Sequence, residues 1–153
     1  MFRTPLTAFR SLAIAEAISW TLLILGLVIR ALFDLPVAVT IGGGIHGFVF
    51  LCYGATAVLV AWNNRWPLVP TVCAVGAAVI PYATIPTEIV LRRRGRLAGS
   101  WRTEASDDPR DARALDRLLR WFVNRPIVLA VILAVGIVAA YTALLVIGPP
   151  GRA

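Results

Sequence analysis

The sequence contains little charge and few chemically reactive side chains. Only 15% of its 153 residues are charged, whereas about 25% is usual for a soluble domain. It has one histidine, His46, and two cysteines, Cys52 and Cys73, neither of which stands in a CxxC or other ligand-spaced motif. These scarcities argue against a disulfide framework, a histidine-rich zinc site and bis-histidine haem ligation within the chain. We expect both cysteines to be buried as small apolar residues.

Lysine is absent, and all 15 basic residues are arginine, a bias that we interpret as the mark of a GC-rich bacterial genome. A net charge of +7 and a pI near 11.0 would favour nucleic acid as the partner of a soluble protein. The arginines lie between hydrophobic runs, however, where membrane topology and anionic lipid account for them better. We therefore expect no nucleic-acid partner, and we expect anionic lipid headgroups at Arg92, Arg93, Arg94 and Arg96.

Recognisable catalytic motifs are also missing, since the chain has no GxSxG, P-loop or HExxH pattern. Paired-carboxylate chemistry is one interpretation of Ser106, Asp107 and Asp108, but they precede a predicted helix in an arginine-rich loop. Helix capping explains them more simply. The sequence therefore predicts a protein that is not an enzyme and that holds no cofactor or metal.

Apolar sequence is what the chain has in excess, with 59% hydrophobic residues and a mean hydropathy of +0.80. Crossing a bilayer takes about 20 mostly apolar residues, and four segments qualify. They run over residues 11–33, 37–62, 69–91 and 126–147. The first is too long for the apolar core of a signal peptide, so we expect a retained helix. The predicted fold is an all-α polytopic transmembrane helical bundle, with four transmembrane helices plus a cytoplasmic amphipathic helix.

Three regions follow from this pattern: a three-helix membrane module over 1–94, a basic cytoplasmic loop with the amphipathic helix over 95–125, and the fourth transmembrane helix with a short tail over 126–153.

The distribution of arginines predicts the orientation of the chain in the membrane. One side would hold Arg3, Arg10, Arg65 and Arg152, and the other would hold Arg30 and the arginines of the long loop. The larger number places that loop in the cytoplasm and both termini outside.

The long loop contains a candidate amphipathic helix that begins near Pro109. Apolar residues recur at helical spacing, with charges on the opposite face. They are Ala112, Leu115, Leu118, Leu119 and Phe122. Such a helix is expected to lie on the membrane surface. It would either anchor the fourth membrane helix or sense lipid or dock a partner.

Ionisable residues inside the apolar segments are few, and each costs about 2.5–3.5 kcal/mol at the centre of a bilayer on insertion scales. Glu88 lies near the end of the third segment with Arg92 four residues on, the order that favours a helical ion pair. We predict an interfacial Glu88–Arg92 ion pair. Glu16 and His46 lie deeper within their apolar segments, so each needs either a bonding partner or a functional role.

Glycines surround the lone histidine in the stretch IGGGIHGFVF. Gly42, Gly43 and Gly47 are predicted to let a neighbouring helix approach closely. The imidazole would then point into the bundle, in a buried polar cluster of Glu16, Ser19, His46 and Tyr53. This cluster would either fix which helices pack together or carry a proton through Glu16 and His46.

Prolines are dense in the third segment, at positions 70, 81 and 86. Pro81 and Pro86 each remove a backbone hydrogen bond, so we expect each to kink or unwind the helix around Tyr82, Thr84 and Thr87. Broken membrane helices line binding sites in some transporters and are passive packing kinks in other proteins.

Three blocks resemble the YdzA-like family of small bacterial integral membrane proteins: TPLTAFRSLAIAEAISW, IRALFDLPVAVTIGGGIHGFVFLCY and IPYATIPTEIVLRR. The matching positions are Glu16, Arg30, Gly43 to Gly47, Tyr53 and Pro81. Thr40 stands where the family has lysine, and Ala83 where it has glycine. The resemblance covers about residues 1–94. It implies a three-helix module in the bacterial plasma membrane and no known activity.

These observations together predict a multi-pass, non-enzymatic module that associates with a membrane complex or with copies of itself. The alternative is a small proton-linked transporter or channel subunit that uses Glu16 and His46.

Overall fold

The computed structural model describes residues 3–147; Arg152, which the predicted topology counts, lies outside them. The described residues form six α-helices and no β-strand, which confirms the all-α class. The helices are α1 (Pro5–Phe33), α2 (Pro36–Asn63), α3 (Leu68–Gly76), α4 (Thr84–Arg93), α5 (Ala114–Val123) and α6 (Pro126–Ile147). Three of them, α1, α2 and α6, are long and apolar enough to cross a membrane.

A tight turn joins α1 to α2 and makes them an antiparallel pair. Thr4 caps α1 through a reciprocal capping box with Thr7, and Pro5 occupies the first helical position. At the other end Asp34 adopts a left-handed conformation, and its N–H donates to the carbonyl of Arg30. Helix α2 begins two residues later at Pro36, so the predicted short connection is present.

Two glycines, one from each helix, set the spacing of α1 and α2. A Cβ added at Gly42 would lie 2.7 Å from the Leu22 carbonyl oxygen, and one added at Gly26 would lie 2.6 Å from the Ala38 carbonyl oxygen. Such contacts are too short for any side chain, so the two backbones touch here. Of the other predicted packing glycines, Gly43 makes an ordinary contact of 3.8 Å with the Leu23 side chain, and Gly47 is half-buried.

Residues 69–91 do not form the predicted third membrane-spanning helix, because the chain is interrupted around Pro81, where the sequence predicts a kink or unwinding. Helix α3 ends at Gly76, a 3₁₀ turn covers Ala77–Val79, and α4 starts at Thr84. Pro81 has no N–H and disfavours helical geometry in the residue before it. Ile80 is accordingly extended, at φ −105° and ψ 124°.

Pro86 does not break the chain, contrary to expectation. It is the third residue of α4, where its missing N–H would have had no partner within the helix. Pro81 alone therefore coincides with the interruption.

The two short helices fold back on each other, and we call residues 68–93 the hairpin. Trp66 Nε1 and Asn64 Nδ2, just before α3, donate to the carbonyl of Arg96, just after α4, at 2.8 and 2.7 Å. The start and the end of the hairpin thus lie at the same end of this bundle. Helices of 9 and 10 residues are about 14–15 Å long, half of a ~30 Å hydrocarbon core.

The N-terminus of α1 lies at this same end of the bundle. Arg10 Nε is 3.1 Å from Glu88 Oε1, and the ring centroids of Phe9 and Trp66 are 6.0 Å apart. The prediction that Arg65 and the arginines of 92–96 lie on opposite sides is therefore wrong for this bundle.

The chain divides into two compact units, Met1–Gly99 and Ser100–Ala153. Asp111 organises the second unit by accepting from Arg102 Nη1, Arg120 Nη1 and the Ser106 hydroxyl, at 3.2, 3.0 and 2.6 Å. Asp108 caps the 3₁₀ turn at Pro109–Ala112 through the Arg110 N–H, as its position in the sequence predicts.

Helix α5 is amphipathic and only partly covered within the second unit. Leu119 is completely buried, whereas Leu115, Leu118 and Trp121 remain exposed. Helix α6 follows with no buried residue at all.

Candidate functional site

Ser19 and His46 form the contact between α1 and α2 at the predicted polar cluster. The Ser19 hydroxyl donates to the Glu16 carbonyl oxygen at 2.7 Å, which uses its only hydrogen. His46 Nδ1 lies 3.0 Å from the same hydroxyl oxygen and must therefore be the donor. The imidazole packs on Trp20, with ring centroids 4.3 Å apart, so it is turned into the bundle.

Glu16 points away from His46 and towards α4. Its side chain is completely buried, and its Oε2 accepts from the Thr84 hydroxyl at 3.0 Å. The same hydroxyl also donates to the Ala13 carbonyl at 3.1 Å, so two acceptors share one hydrogen. A protonated Glu16 would remove this competition by donating to Thr84 itself.

The other carboxyl oxygen of Glu16, Oε1, has no hydrogen-bond partner within residues 3–147. Over the same residues no hydrogen bond joins the Glu16 side chain to His46. A buried carboxyl with one unsatisfied oxygen is costly, and it is the least satisfied group of the predicted cluster.

Tyr53 belongs to a different contact. Its hydroxyl donates to the Ala74 carbonyl in α3 at 2.9 Å, and its ring packs edge-on against Phe9 at 5.4 Å. The four predicted residues therefore form three separate contacts, and two of these contacts lead to the hairpin.

Sequence reasoning missed the residues that complete the attachment of the hairpin. Trp20 Nε1 donates to the Ala78 carbonyl at 3.1 Å, and the hydroxyls of Thr21 and Tyr82 are 3.3 Å apart. Thr84, next to the break, is fully buried. A proline that breaks a membrane helix leaves backbone carbonyls without N–H donors. Pro81 could therefore have predicted that side chains of α1 and α2 donate to carbonyls near the break.

Glu88 bridges two arginines rather than one. Its predicted partner Arg92 lies at 3.7 Å, and Arg10 of α1 lies closer, at 3.1 Å. The Glu88 side chain is only 7% exposed, whereas both arginines are nearly half exposed. The Arg10–Glu88 ion pair thus joins α1 to α4 at the end of the bundle where α1 begins.

The cysteines and the potential metal ligands give no reactive centre in the part of the chain described. Cys73 is exposed and Cys52 is half-buried, so the expectation that both are buried is wrong. Within residues 3–147, no three histidine, cysteine, aspartate or glutamate side chains are grouped so that they could hold a metal ion.

Taken together, most of the polar side chains on the inner faces of α1 and α2 bind the hairpin. Tyr53 and Trp20 donate to the carbonyls of Ala74 and Ala78, and Glu16 accepts from Thr84 of α4. In hydrocarbon such carbonyls would otherwise lack a hydrogen-bond donor. The site is therefore a docking site for a broken helix.

Comparison with known proteins places this unit in a family. Residues 6–93, more than half of the chain, match a domain of unknown function (DUF3817), and the predicted resemblance is confirmed. A membrane protein of Streptomyces coelicolor is 40% identical over 94 residues. The uncharacterised membrane protein YdzA of Bacillus subtilis is 29% identical over 83 residues.

Coverage differs between these two relatives. The match takes up 60% of this chain and 11% of the Streptomyces protein, but 54% of this chain and 86% of YdzA. No solved structure matches the chain.

Proposed function

This chain belongs to the DUF3817 family of membrane proteins, and on that premise we propose that its first unit is a non-enzymatic module for association with a membrane complex or with copies of itself. The observation that carries the proposal is that buried polar side chains bind the hairpin to α1 and α2. Trp20, Tyr53 and Thr84 are engaged between α1 or α2 and the hairpin, which favours a packing role over a substrate-binding one.

The outer surface of the module supports the same proposal. Apolar side chains of α1 and α2 point outward, among them Ile18 at 56% and Ile41 at 59% exposure. The related segment makes up most of YdzA and a small part of the Streptomyces protein. A unit that occurs both nearly alone and inside a longer chain is suited to serve as a building block.

The arrangement in the membrane is part of the proposal. All arginines of residues 3–99 except Arg30 lie at the end of the bundle where the hairpin opens. The positive-inside rule then places that end, and the N-terminus, in the cytoplasm. Helices α1 and α2 cross the bacterial plasma membrane, the hairpin enters and leaves on the cytoplasmic side, and α6 crosses once more. Three spans thus replace the predicted four.

The second unit fits the same orientation. The basic segment from Ser100 to Arg125 stays in the cytoplasm, where α5 lies on the membrane with Leu115, Leu118 and Trp121 facing lipid. In the first unit, anionic headgroups contact Arg92, Arg93, Arg94 and Arg96.

Site-specific photo-crosslinking in the native membrane tests the association. A photoreactive residue at Ile18 or Ile41 should give a cross-linked product, either a second tagged copy or another membrane protein. The same residue at the fully buried Ala57 should give none. Absence of any product from both exposed positions would refute the proposal.

One observation favours a second candidate function, a small proton-linked transporter or channel subunit. Glu16 Oε1 is buried without a partner, and a membrane-buried carboxyl of this kind can carry a proton. Reconstituted protein would then show a proton or substrate flux that Glu16→Gln or His46→Ala abolishes. The leading proposal predicts no flux at any pH and a loss of stability in both variants.

A further inference from the structure

The hairpin contains a groove that the contacts described so far do not fill. The groove lies between α3 and α4, has a volume of about 380 Å³, and is lined along most of its length by apolar residues. Val69, Pro70, Cys73 and Val90 belong to this lining. Because Cys73 is exposed, its thiol reports on whatever enters.

Two arginines, Arg94 and Arg96, line the groove just beyond the last residue of α4. No acidic side chain lines it. Elsewhere at this end of the bundle Arg10 and Arg92 share Glu88, but over residues 3–147 neither Arg94 nor Arg96 forms an ion pair. A pair of guanidinium groups without a carboxylate favours an anion, and phosphate suits their hydrogen-bonding geometry.

We propose that this groove binds one anionic glycerophospholipid, with an acyl chain along the apolar walls and the phosphate on Arg94 and Arg96. The inference rests on the proposed orientation, which puts the open end of the hairpin at the level of the cytoplasmic headgroups. The size of the groove argues against a free phosphate as the occupant. At ~30 Å³ per water, 380 Å³ corresponds to about a dozen waters, and a phosphate ion would fill only the arginine end.

The guanidinium groups supply the selectivity in this arrangement. An acyl chain gains little by leaving surrounding lipid for an apolar groove, since both are hydrocarbon. Charge-assisted hydrogen bonds hold the phosphate, which both lipid classes carry. The two guanidinium groups repel the choline cation of a zwitterionic headgroup, and an anionic lipid has no such cation. Anionic lipid should therefore occupy the groove in preference to phosphatidylcholine.

Labelling of Cys73 tests the proposal directly. In a Cys52→Ala background Cys73 is the only thiol, and its reaction rate with N-ethylmaleimide is measured in phosphatidylcholine bilayers with and without phosphatidylglycerol. We expect phosphatidylglycerol to slow labelling several-fold. Comparing the two rates within each variant cancels any effect of the substitutions on thiol reactivity.

The variants are matched in charge. Arg94→Gln with Arg96→Gln should abolish the protection, and Arg3→Gln with Arg113→Gln, which removes two arginines outside the groove, should preserve it. Mass spectrometry of lipid retained after purification in mixed lipid and detergent should show phosphatidylglycerol lost only from the first double variant.

Three outcomes would overturn the proposal: equal labelling in the two lipids, protection that survives loss of Arg94 and Arg96, or full protection by inorganic phosphate in phosphatidylcholine. The orientation is tested separately by labelling exposed positions from the two sides of the membrane. Failure of the lipid site and failure of the proposed topology are thus distinguishable.

Discussion

The hairpin and α6 are apolar stretches of similar length that behave differently. Helix α6 runs unbroken over 22 residues and buries none of them. The hairpin covers 26 positions, from 68 to 93, turns back at Pro81, and is held by side chains from two other helices. The only polar side-chain contact of Thr142 in α6 is to its own helix, at the carbonyls of Val138 and Ala139.

This difference shows what a broken membrane helix requires. An unbroken helix satisfies its own backbone, so α6 needs no donors from elsewhere. A broken one exposes carbonyls that other helices must satisfy, and the inner faces of α1 and α2 carry Trp20, Tyr53 and a partner for Thr84. The positions of Trp20, Tyr53 and Thr84 thus follow from the break in the hairpin.

Thr84→Val should have the largest effect, because it removes the hydroxyl shared by Glu16 and Ala13. Glu16 Oε2 would then lose the hydroxyl that donates to it, and we expect a loss of about 3 kcal/mol in the free energy of unfolding. Unfolding in mixed detergent micelles measures it. Thr87→Val, at a half-buried position on the same helix, is the control and should change stability little. Equal losses in the two variants would contradict the assigned role of Thr84.

Gly42→Ala should have the next largest effect. Its Cβ would meet the Leu22 carbonyl at 2.7 Å, and the required backbone shift should cost about 1–2 kcal/mol. Gly136→Ala in α6 meets nothing within 4 Å, and in a helix interior it should stabilise by about 0.5–1 kcal/mol. The same unfolding assay compares them, and destabilisation by Gly136→Ala would show that α6 has a packing partner.

Trp20→Phe should have the smallest effect of the three. It keeps the ring that packs on His46 and removes the N–H that donates to Ala78. Hydrogen bonds between membrane helices are worth about 0.6 kcal/mol on average, so we expect a loss of about that size in the free energy of unfolding. Faster hydrogen exchange confined to residues 77–83, with α6 unchanged, would locate the loss at the tip of the hairpin. Unchanged hydrogen exchange at residues 77–83 would contradict the hydrogen bond from Trp20 to the Ala78 carbonyl.

The long helices and the inward-facing histidine were predictable from local pattern. Hydropathy located α1, α2 and α6, and the glycines around His46 indicated close packing. The glycine pattern predicted Gly42, Gly43 and Gly47, and the structure places the tightest contacts at Gly42 and at Gly26, which was not predicted. Gly26, the only glycine in α1, had no visible partner in the sequence because its neighbour Ala38 lies beyond the turn.

The hairpin was not predictable by the same means. Mean hydropathy does not show whether a chain reverses direction within the membrane, so residues 69–91 were predicted to cross it. Pro81 indicated a break, but whether the chain turns back depends on donors at Trp20 and Tyr53, far away in sequence. For the same reason Arg10 was not recognised as the closer partner of Glu88.

The central claim is that the hairpin enters and leaves the membrane on one side. In a chain with both cysteines replaced by alanine, single cysteines at the exposed residues Leu35, Leu68 and Ala98 are labelled with a membrane-impermeant maleimide in right-side-out and inverted vesicles. The account predicts that positions 68 and 98 react from the cytoplasmic side and position 35 from the opposite side. Labelling of 68 and 98 from opposite sides, as four spans would require, would contradict it.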